Sequence, residues 1–171
     1  MPTLILMRHA KAVRDNEAPS DRARGLTQRG RREAAEAAAA MRDQGVRPSV
    51  VRASNAVRTV ETAEIVIGAI APEVEARFAD ALYLAEAGVI WADATRVATD
   101  AQGAVLTIGH NPGLHELVMR LVERSGERSA LARCFLDDMP TASWIAFEVE
   151  GGELDSSGAR VIGGWAPGRE V

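Results

Sequence analysis

Apolar positions along the chain fall into short blocks that switch between two spacings. Leu4-Ile5-Leu6-Met7 is an unbroken apolar run. It predicts a strand buried on both faces, the pattern of a parallel sheet. The run stops at Arg8-His9. Arg14 to Gly25 is polar and carries Pro19, which predicts a loop. Thr27 is placed to cap a helix running to about Gln44, with Gly45 and Pro48 as stop signals. Ser49 to Ala53 predicts a second strand. Ser54 or Asn55 then caps a helix with Val57, Val60, Ile67 and Ile70 toward one face, closed by Ala71-Pro72.

Val89, Ile90, Ala94 and Val97 predict a third helix, and Ala104 to Ile108 a further apolar strand. In Gly109-His110-Asn111-Pro112-Gly113, Asn111 suits an N-cap and Pro112 the first helical position. Leu114, Leu117, Val118, Leu121 and Val122 follow at i, i+3, i+4, i+7, i+8, the stripe of an amphipathic helix. Ser143 to Glu150 alternates. Ile145, Phe147 and Val149 share one face and Glu148 and Glu150 the other, so a strand with one wetter face is predicted. A turn at Gly151-Gly152 and a last strand near Arg160 to Gly164 complete the pattern.

This order predicts an α/β fold: a three-layer α/β/α sandwich with a mostly parallel sheet. The 171 residues fit one domain, 1–171, with no repeat or linker. Sites in such sheets form at the carboxyl ends of strands. Three polar clusters fall there: Arg8-His9, Ser54 to Arg58, and His110-Asn111.

Composition narrows the chemistry. The net charge is −4, so no nucleic-acid partner is expected. Lys11 is the one lysine among 20 cationic side chains. The rest are arginines, whose planar forks grip carboxylates and phosphates. Cys134 is the one cysteine, which excludes an intrachain disulfide and a cysteine-based zinc site. Met1 to Met7 is neither a secretory leader nor a membrane span. A cytoplasmic protein with no membrane partner is expected.

Each polar cluster has two readings. His9, flanked by Arg8 and Lys11, is a nucleophile toward phosphorus, because nearby positive charge keeps an imidazole neutral; or it is an ordinary loop histidine beside solvated charges. Arg24, before the capped helix, reaches an anion near that N-terminus, or it is a surface arginine. Arg58 sits in a first turn, where a cation opposes the helix dipole. It answers to a ligand anion or pairs with Glu61. His110 donates to a phosphoryl oxygen beside backbone N–H groups near Pro112, or it bonds a loop carbonyl. Arg22, Arg29, Arg31 and Arg32 read as a solvated face. His110 and His115 are five apart, not the four of a helical metal pair, so no metal is expected. No phosphate-binding glycine loop is present, and no cofactor is expected.

Together the clusters resemble the histidine phosphatase superfamily, also called phosphoglycerate-mutase-like. Leu6-Met7-Arg8-His9-Ala10-Lys11-Ala12 is similar to its signature strand and Arg-His motif. Arg24-Gly25-Leu26-Thr27 with Gly30 resembles the Arg-x-Leu-Thr-x-x-Gly segment. Ser54, Arg58, Thr62 and Ala63 resemble the Ser-x-x-x-Arg-x-x-x-Thr-Ala segment, and Gly109-His110-Asn111-Pro112-Gly113 the second-histidine motif. The resemblance implies a phosphoglycerate-mutase-like fold, His9 as a transiently phosphorylated nucleophile, and Arg8, Arg24 and Arg58 on the phosphoryl oxygens. His110 completes the catalytic set, and Asn111 joins the phosphate-binding residues. No metal or cofactor is implied, since phosphoryl transfer needs positioning and charge neutralisation.

Ala10-Lys11 stands where mutase-like members carry glycine and glutamate, and this form is similar to the short SixA-like phosphohistidine phosphatases. The general-acid glutamate of larger members has no counterpart in Ala81-Leu82-Tyr83-Leu84-Ala85. Asp80 and Glu86 are substitutes, or the acid comes from elsewhere in the chain. A phosphohistidine leaves through an imidazole nitrogen, a better leaving group than an alkoxide, so the strong acid is less needed. Three functions follow. The first is a phosphatase acting on a phosphorylated protein, such as a phosphohistidine phosphorelay domain. The second is a phosphomonoesterase for a small phosphate ester. The third is a phosphate-binding interaction module with little turnover.

Overall fold

Leu4 to Met7 form the middle of the first strand, β1 (Thr3–Arg8), and all four are fully buried. Their side chains alternate between two separate apolar layers, Leu4 and Leu6 in one, Ile5 and Met7 in the other. That double burial is the physical content of the unbroken apolar run. The computed structural model describes residues 1–169.

The remaining elements are α1 (Gln28–Asp43), β2 (Val50–Ser54), α2 (Val57–Ile70), β3 (Ala76–Ala79), α3 (Ala87–Ala101), β4 (Val105–Gly109), α4 (Gly113–Ser125), α5 (Ala130–Asp137), β5 (Trp144–Val149) and β6 (Ala159–Trp165). The sheet order is β3-β2-β4-β1-β5-β6. β3, β2, β4 and β1 are parallel, while β5 and β6 join antiparallel. α1 and α2 pack on the face of Ile5 and Met7; α3, α4 and α5 pack on the face of Leu4 and Leu6. The result is a three-layer α/β/α sandwich with a mostly parallel sheet.

Local sequence explains the helices closest to the site. Thr27 caps α1, its hydroxyl accepting from Gly30 N at 3.0 Å. Buried Ala34, Ala37 and Ala38 let α1 approach the sheet closely, and Trp144 Nε1 donates to Ala37 O at 3.1 Å. Leu114, Leu117, Val118, Leu121 and Val122 are all buried under α4, as their spacing predicts.

Several predicted details are corrected. The buried face of α2 is Arg58, Thr59, Thr62, Ala63, Val66 and Ile70, whereas Val57 is exposed. The start of this helix carries polar groups inward, so polarity does not mark its solvent side. Neither Ser54 nor Asn55 caps it; Ala56 holds the cap position. Likewise Pro112, not Asn111, precedes α4, and no side chain caps it. β5 is buried on both faces, because Trp144 and Ala146 pack under α1 while Ile145 and Phe147 pack under α4. Gly151 and Gly152 take positive φ of 82° and 86°, yet β6 begins only at Ala159, so the connection is a long loop. β3, a four-residue edge strand, and α5, two turns long, are too short for their periodicity to register.

Candidate active site

β4 lies between β1 and β2, so the chain ends of three adjacent parallel strands meet at one rim. Arg8 pairs in register with Gly109, and Ala53 with Ile108. The residues that follow, His9, Ser54 and His110, therefore converge, although 45 and 56 positions separate them in sequence. They surround a cavity of about 290 Å³ lined by Arg8, His9, Lys11, Asp21, Arg24, Arg58, Leu84, His110 and Asn111, among others. Larger depressions lie elsewhere, such as one of about 500 Å³ between Arg47 and Arg77, but they hold no histidine.

Hydrogen bonding fixes the state of His9. Its Nδ1 lies 2.8 Å from Ala10 O, an acceptor, so Nδ1 carries the proton. Its Nε2 lies 3.3 Å from Arg58 Nε, an obligate donor, so Nε2 presents a lone pair. Ala10 is itself fastened: its N–H donates to Thr62 Oγ1 at 3.1 Å, and Thr62 donates to Arg58 O at 2.6 Å. Burial pushes the His9 imidazole down to about 3, and His110, Arg58 and Arg8 push the same way.

His110 is held in the opposite tautomer. Its Nδ1 lies 3.4 Å from Arg58 Nη2, which can only donate, so the proton resides on Nε2. Nε2 donates to Ser54 Oγ at 2.6 Å. The Thr59 hydroxyl donates to the carbonyls of Ser54 and Ala56, at 2.8 and 2.7 Å, so its oxygen accepts from Ser54 Oγ at 2.8 Å. A one-way chain of donors thus runs from His110 through Ser54 to Thr59. Burial, then Arg58, lowers His110 to about 4. The Tyr83 ring meets His110 edge-on, with centroids 5.4 Å apart.

Arg58 organises this center. It is almost fully buried, and besides both histidines it donates through Nη1 to Asp21 O at 2.7 Å and through Nη2 to Asp21 Oδ2 at 2.9 Å. It does not pair with Glu61, which instead accepts from Arg31 and Leu26 N. Arg24 lines the cavity, anchored by Val13 O at 2.8 Å, Asp21 at 2.9 Å and Asp15 at 3.0 Å. Arg8 donates to Met139 O at 2.9 Å, and its buried Nε has no partner among the described residues. Asn111 Nδ2 donates to the same carbonyl at 3.1 Å, leaving one amide hydrogen free. Arg22 leaves the predicted solvated face: it stacks 4.0 Å over the Tyr83 ring and pairs with Asp80 and Asn55.

The structure thus brings together His9, Arg8, Arg24, Arg58, His110 and Asn111. It adds Asp21 and Tyr83, which sequence reasoning missed, and gives Ser54 a different task. Asp21 sits in a polar loop with no periodic pattern, so only its contacts identify it. The Tyr83 hydroxyl, Arg24 and Arg58 hold its carboxyl below the usual carboxylate range. Asp80 is exposed at the rim, and Glu86 faces a neighbouring groove with Glu116 and Arg120; neither lines the cavity. His115 lies apart, its Nε2 2.9 Å from Phe135 O. No helix among the described residues is long and apolar enough to cross a membrane.

Comparison with known proteins places this arrangement. Residues 4–124 match the sequence model of the histidine phosphatase superfamily, branch 1. An uncharacterized protein of Mycobacterium tuberculosis is 31% identical over 163 residues, covering 94% of this chain and 99% of its own. A structure from Nakamurella multipartitia, described as a candidate phosphohistidine phosphatase SixA, superposes with a TM-score of 0.81 at 28% identity. The superposition covers 98% of this chain and 97% of that one. The tungstate complex of the protein histidine phosphatase SixA has the same fold, with a TM-score of 0.77 at 23% identity over 96% of this chain and 97% of its own. On motif, fold and similarity alike, the chain belongs to the histidine phosphatase superfamily, within which it is SixA-like.

Proposed function

We propose that this protein removes a phosphoryl group from phosphohistidine on a partner protein, through a covalent phosphohistidine on its own His9. The observation that carries the reading is a buried, neutral His9 whose unprotonated Nε2 is held against Arg58, at a cavity lined by Arg8, Arg24 and Arg58. Neutral imidazole attacks phosphorus, and guanidinium groups neutralise the charge that spreads over the equatorial oxygens. Three arginines supply the positive charge that a metal ion supplies in other phosphatases. The free Asn111 amide hydrogen joins these arginines on the phosphoryl group, whereas His110, whose one proton is committed to Ser54, acts by holding Arg58 through Nδ1 rather than by donating to phosphate.

The step balances simply. The Nε2 lone pair forms a bond to phosphorus as the bond to the leaving nitrogen breaks. The proton stays on Nδ1, donated to Ala10 O, throughout. Water then attacks phosphorus, the Nε2–P bond breaks with its electron pair returning to Nε2, and the proton that the water gives up passes to a base at the cavity. Site dimensions favour a protein substrate: about 290 Å³ is at the low end for pockets that engulf a metabolite. It accommodates a phosphoryl group presented by a surface. The SixA-like neighbours point the same way.

Turnover on a histidine-phosphorylated domain, compared with sugar phosphates and nucleotides, tests the choice of substrate. A higher kcat/KM on the phosphorylated domain is expected. Rapid turnover of many phosphate monoesters with none on phosphohistidine would overturn it and leave a small-ester phosphatase.

A further inference from the structure

Phosphoryl transfer through His9 raises a question the motifs leave open: which group delivers a proton to the leaving atom and removes one from water. Asp21 is the one carboxylate lining the cavity among the described residues. Its Oδ2 and the His9 Nε2 are bound by two nitrogens of the same guanidinium, Arg58 Nη2 at 2.9 Å and Nε at 3.3 Å. The backbone carbonyl of Asp21 accepts from Arg58 Nη1 at 2.7 Å, so backbone and side chain are both registered on the residue that faces the nucleophile. On the far side, the Tyr83 hydroxyl donates to Oδ2 and Arg24 Nη1 to Oδ1. The carboxylate is therefore aimed by three side chains from three segments of the chain.

We propose that Asp21 is the proton-handling residue of the reaction, acid to the leaving group and base to the attacking water. This rests on the covalent reading of His9. A phosphoryl group on Arg58 and Arg24 competes for the N–H groups that otherwise hold the carboxylate and adds like charge beside it. Both effects favour the protonated carboxyl when substrate is bound. That proton comes from solvent or from the phosphoryl monoanion. In the first step the Nε2–P bond forms, the bond from phosphorus to the leaving atom breaks, and the Asp21 proton moves to that atom. In the second step the Asp21 carboxylate takes a proton from water, the new O–P bond forms, and the Nε2 pair is restored. Chemistry placed on this loop requires no acid after β3, where Asp80 and Glu86 stay outside the cavity.

Asp21→Asn is the test, because the amide keeps an oxygen for Arg58 but cannot carry the proton. kcat/KM is measured over a series of phosphate esters from nitrophenyl to alkyl. The expected loss is on the order of 10²-fold for alkyl leaving groups and under about tenfold for nitrophenyl phosphate, which needs no proton to depart. Tyr83→Phe keeps the carboxyl and is expected to lower all esters alike. A loss in Asp21→Asn that is equal across the series, or no loss, would overturn the assignment. Base-stable label on wild-type His9 from nitrophenyl phosphate separates the two ideas: without it the covalent reading fails, and with it only the Asp21 assignment is at stake.

Discussion

Arg58 Nε donates to His9 Nε2 across 3.3 Å, and this single contact sets the chemistry of the site. It selects the tautomer whose lone pair is on Nε2, the nitrogen that attacks in the proposed reaction. It also places a positive charge beside an imidazole that must stay neutral to attack. Arg58→Ala removes this contact together with those to His110 and Asp21. Loss of such a preorganised donor costs several kcal/mol at the transition state, on the order of 10²-fold or more in kcat/KM. Arg58→Lys keeps the charge but not the fork, and is expected to restore only a small part. Steady-state kinetics on variants with native circular dichroism check both. Near-wild-type activity in Arg58→Ala would contradict the role.

Acid sensitivity follows from the two buried imidazoles. In the unfolded chain both titrate near 6.5, whereas in the folded protein His9 is lowered to about 3 and His110 to about 4. Between these values the unfolded state binds protons that the folded state refuses. Their contribution to stability is therefore complete above pH ~6.5 and is lost as pH falls toward 3 to 4. Urea unfolding at a series of pH values should show this slope, reduced in His9→Gln. Proton NMR should show a His9 ring that does not titrate between pH 8 and 5. A ring titrating near 6.5 would contradict the burial argument.

Ser54 acts through His110 rather than on substrate. Its oxygen accepts the His110 Nε2 proton at 2.6 Å, and this bond holds Nδ1 free to face Arg58. Ser54→Ala leaves a buried N–H without a partner, at a cost of about 1–3 kcal/mol. A fall in kcat/KM of roughly tenfold is expected, the equivalent of about 1.4 kcal/mol. Nitrogen NMR gives the independent readout: the wild type should show His110 protonated on Nε2, and Ser54→Ala a mixture of tautomers. An unchanged tautomer would reduce Ser54 to packing.

Two glycines predict opposite signs. A Cβ on Gly113, at the start of α4, would lie 1.9 Å from Ala85 O and 3.0 Å from Glu86 Cα. Backbone on that side cannot yield without moving the segment after His110. Gly113→Ala should cost about 1–3 kcal/mol and lower activity as well. Gly68, exposed within α2, has no heavy atom within 4 Å of such a Cβ. Gly68→Ala should stabilise by about 0.5–1 kcal/mol through helix propensity. Thermal unfolding of the pair checks both signs.

Much of this site was legible because its chemistry sits at strand ends. The β1 run pointed to Arg8-His9, and the α4 stripe located the segment that delivers His110. Both patterns are set by burial, which sequence periodicity records. Asp21 and Tyr83 were not legible, because each is defined by contacts among a loop, a helix and a turn. The buried face of α2 misled for a related reason. Arg58 and Thr62 point inward to build the site, so a polar helix face is the functional one. Ser54 looked like a helix cap because Ser at that position usually is one, yet here its hydroxyl is committed to His110 and Thr59.

In the proposed reaction His9 carries the phosphoryl group. Wild type and His9→Ala are mixed with a labelled phosphohistidine donor and, separately, with a labelled aryl phosphate, then quenched in base. Phosphohistidine survives base and is lost in acid, so acid-labile, base-stable label on the wild type alone is the predicted result. Equal label or equal phosphate release in His9→Ala would contradict it.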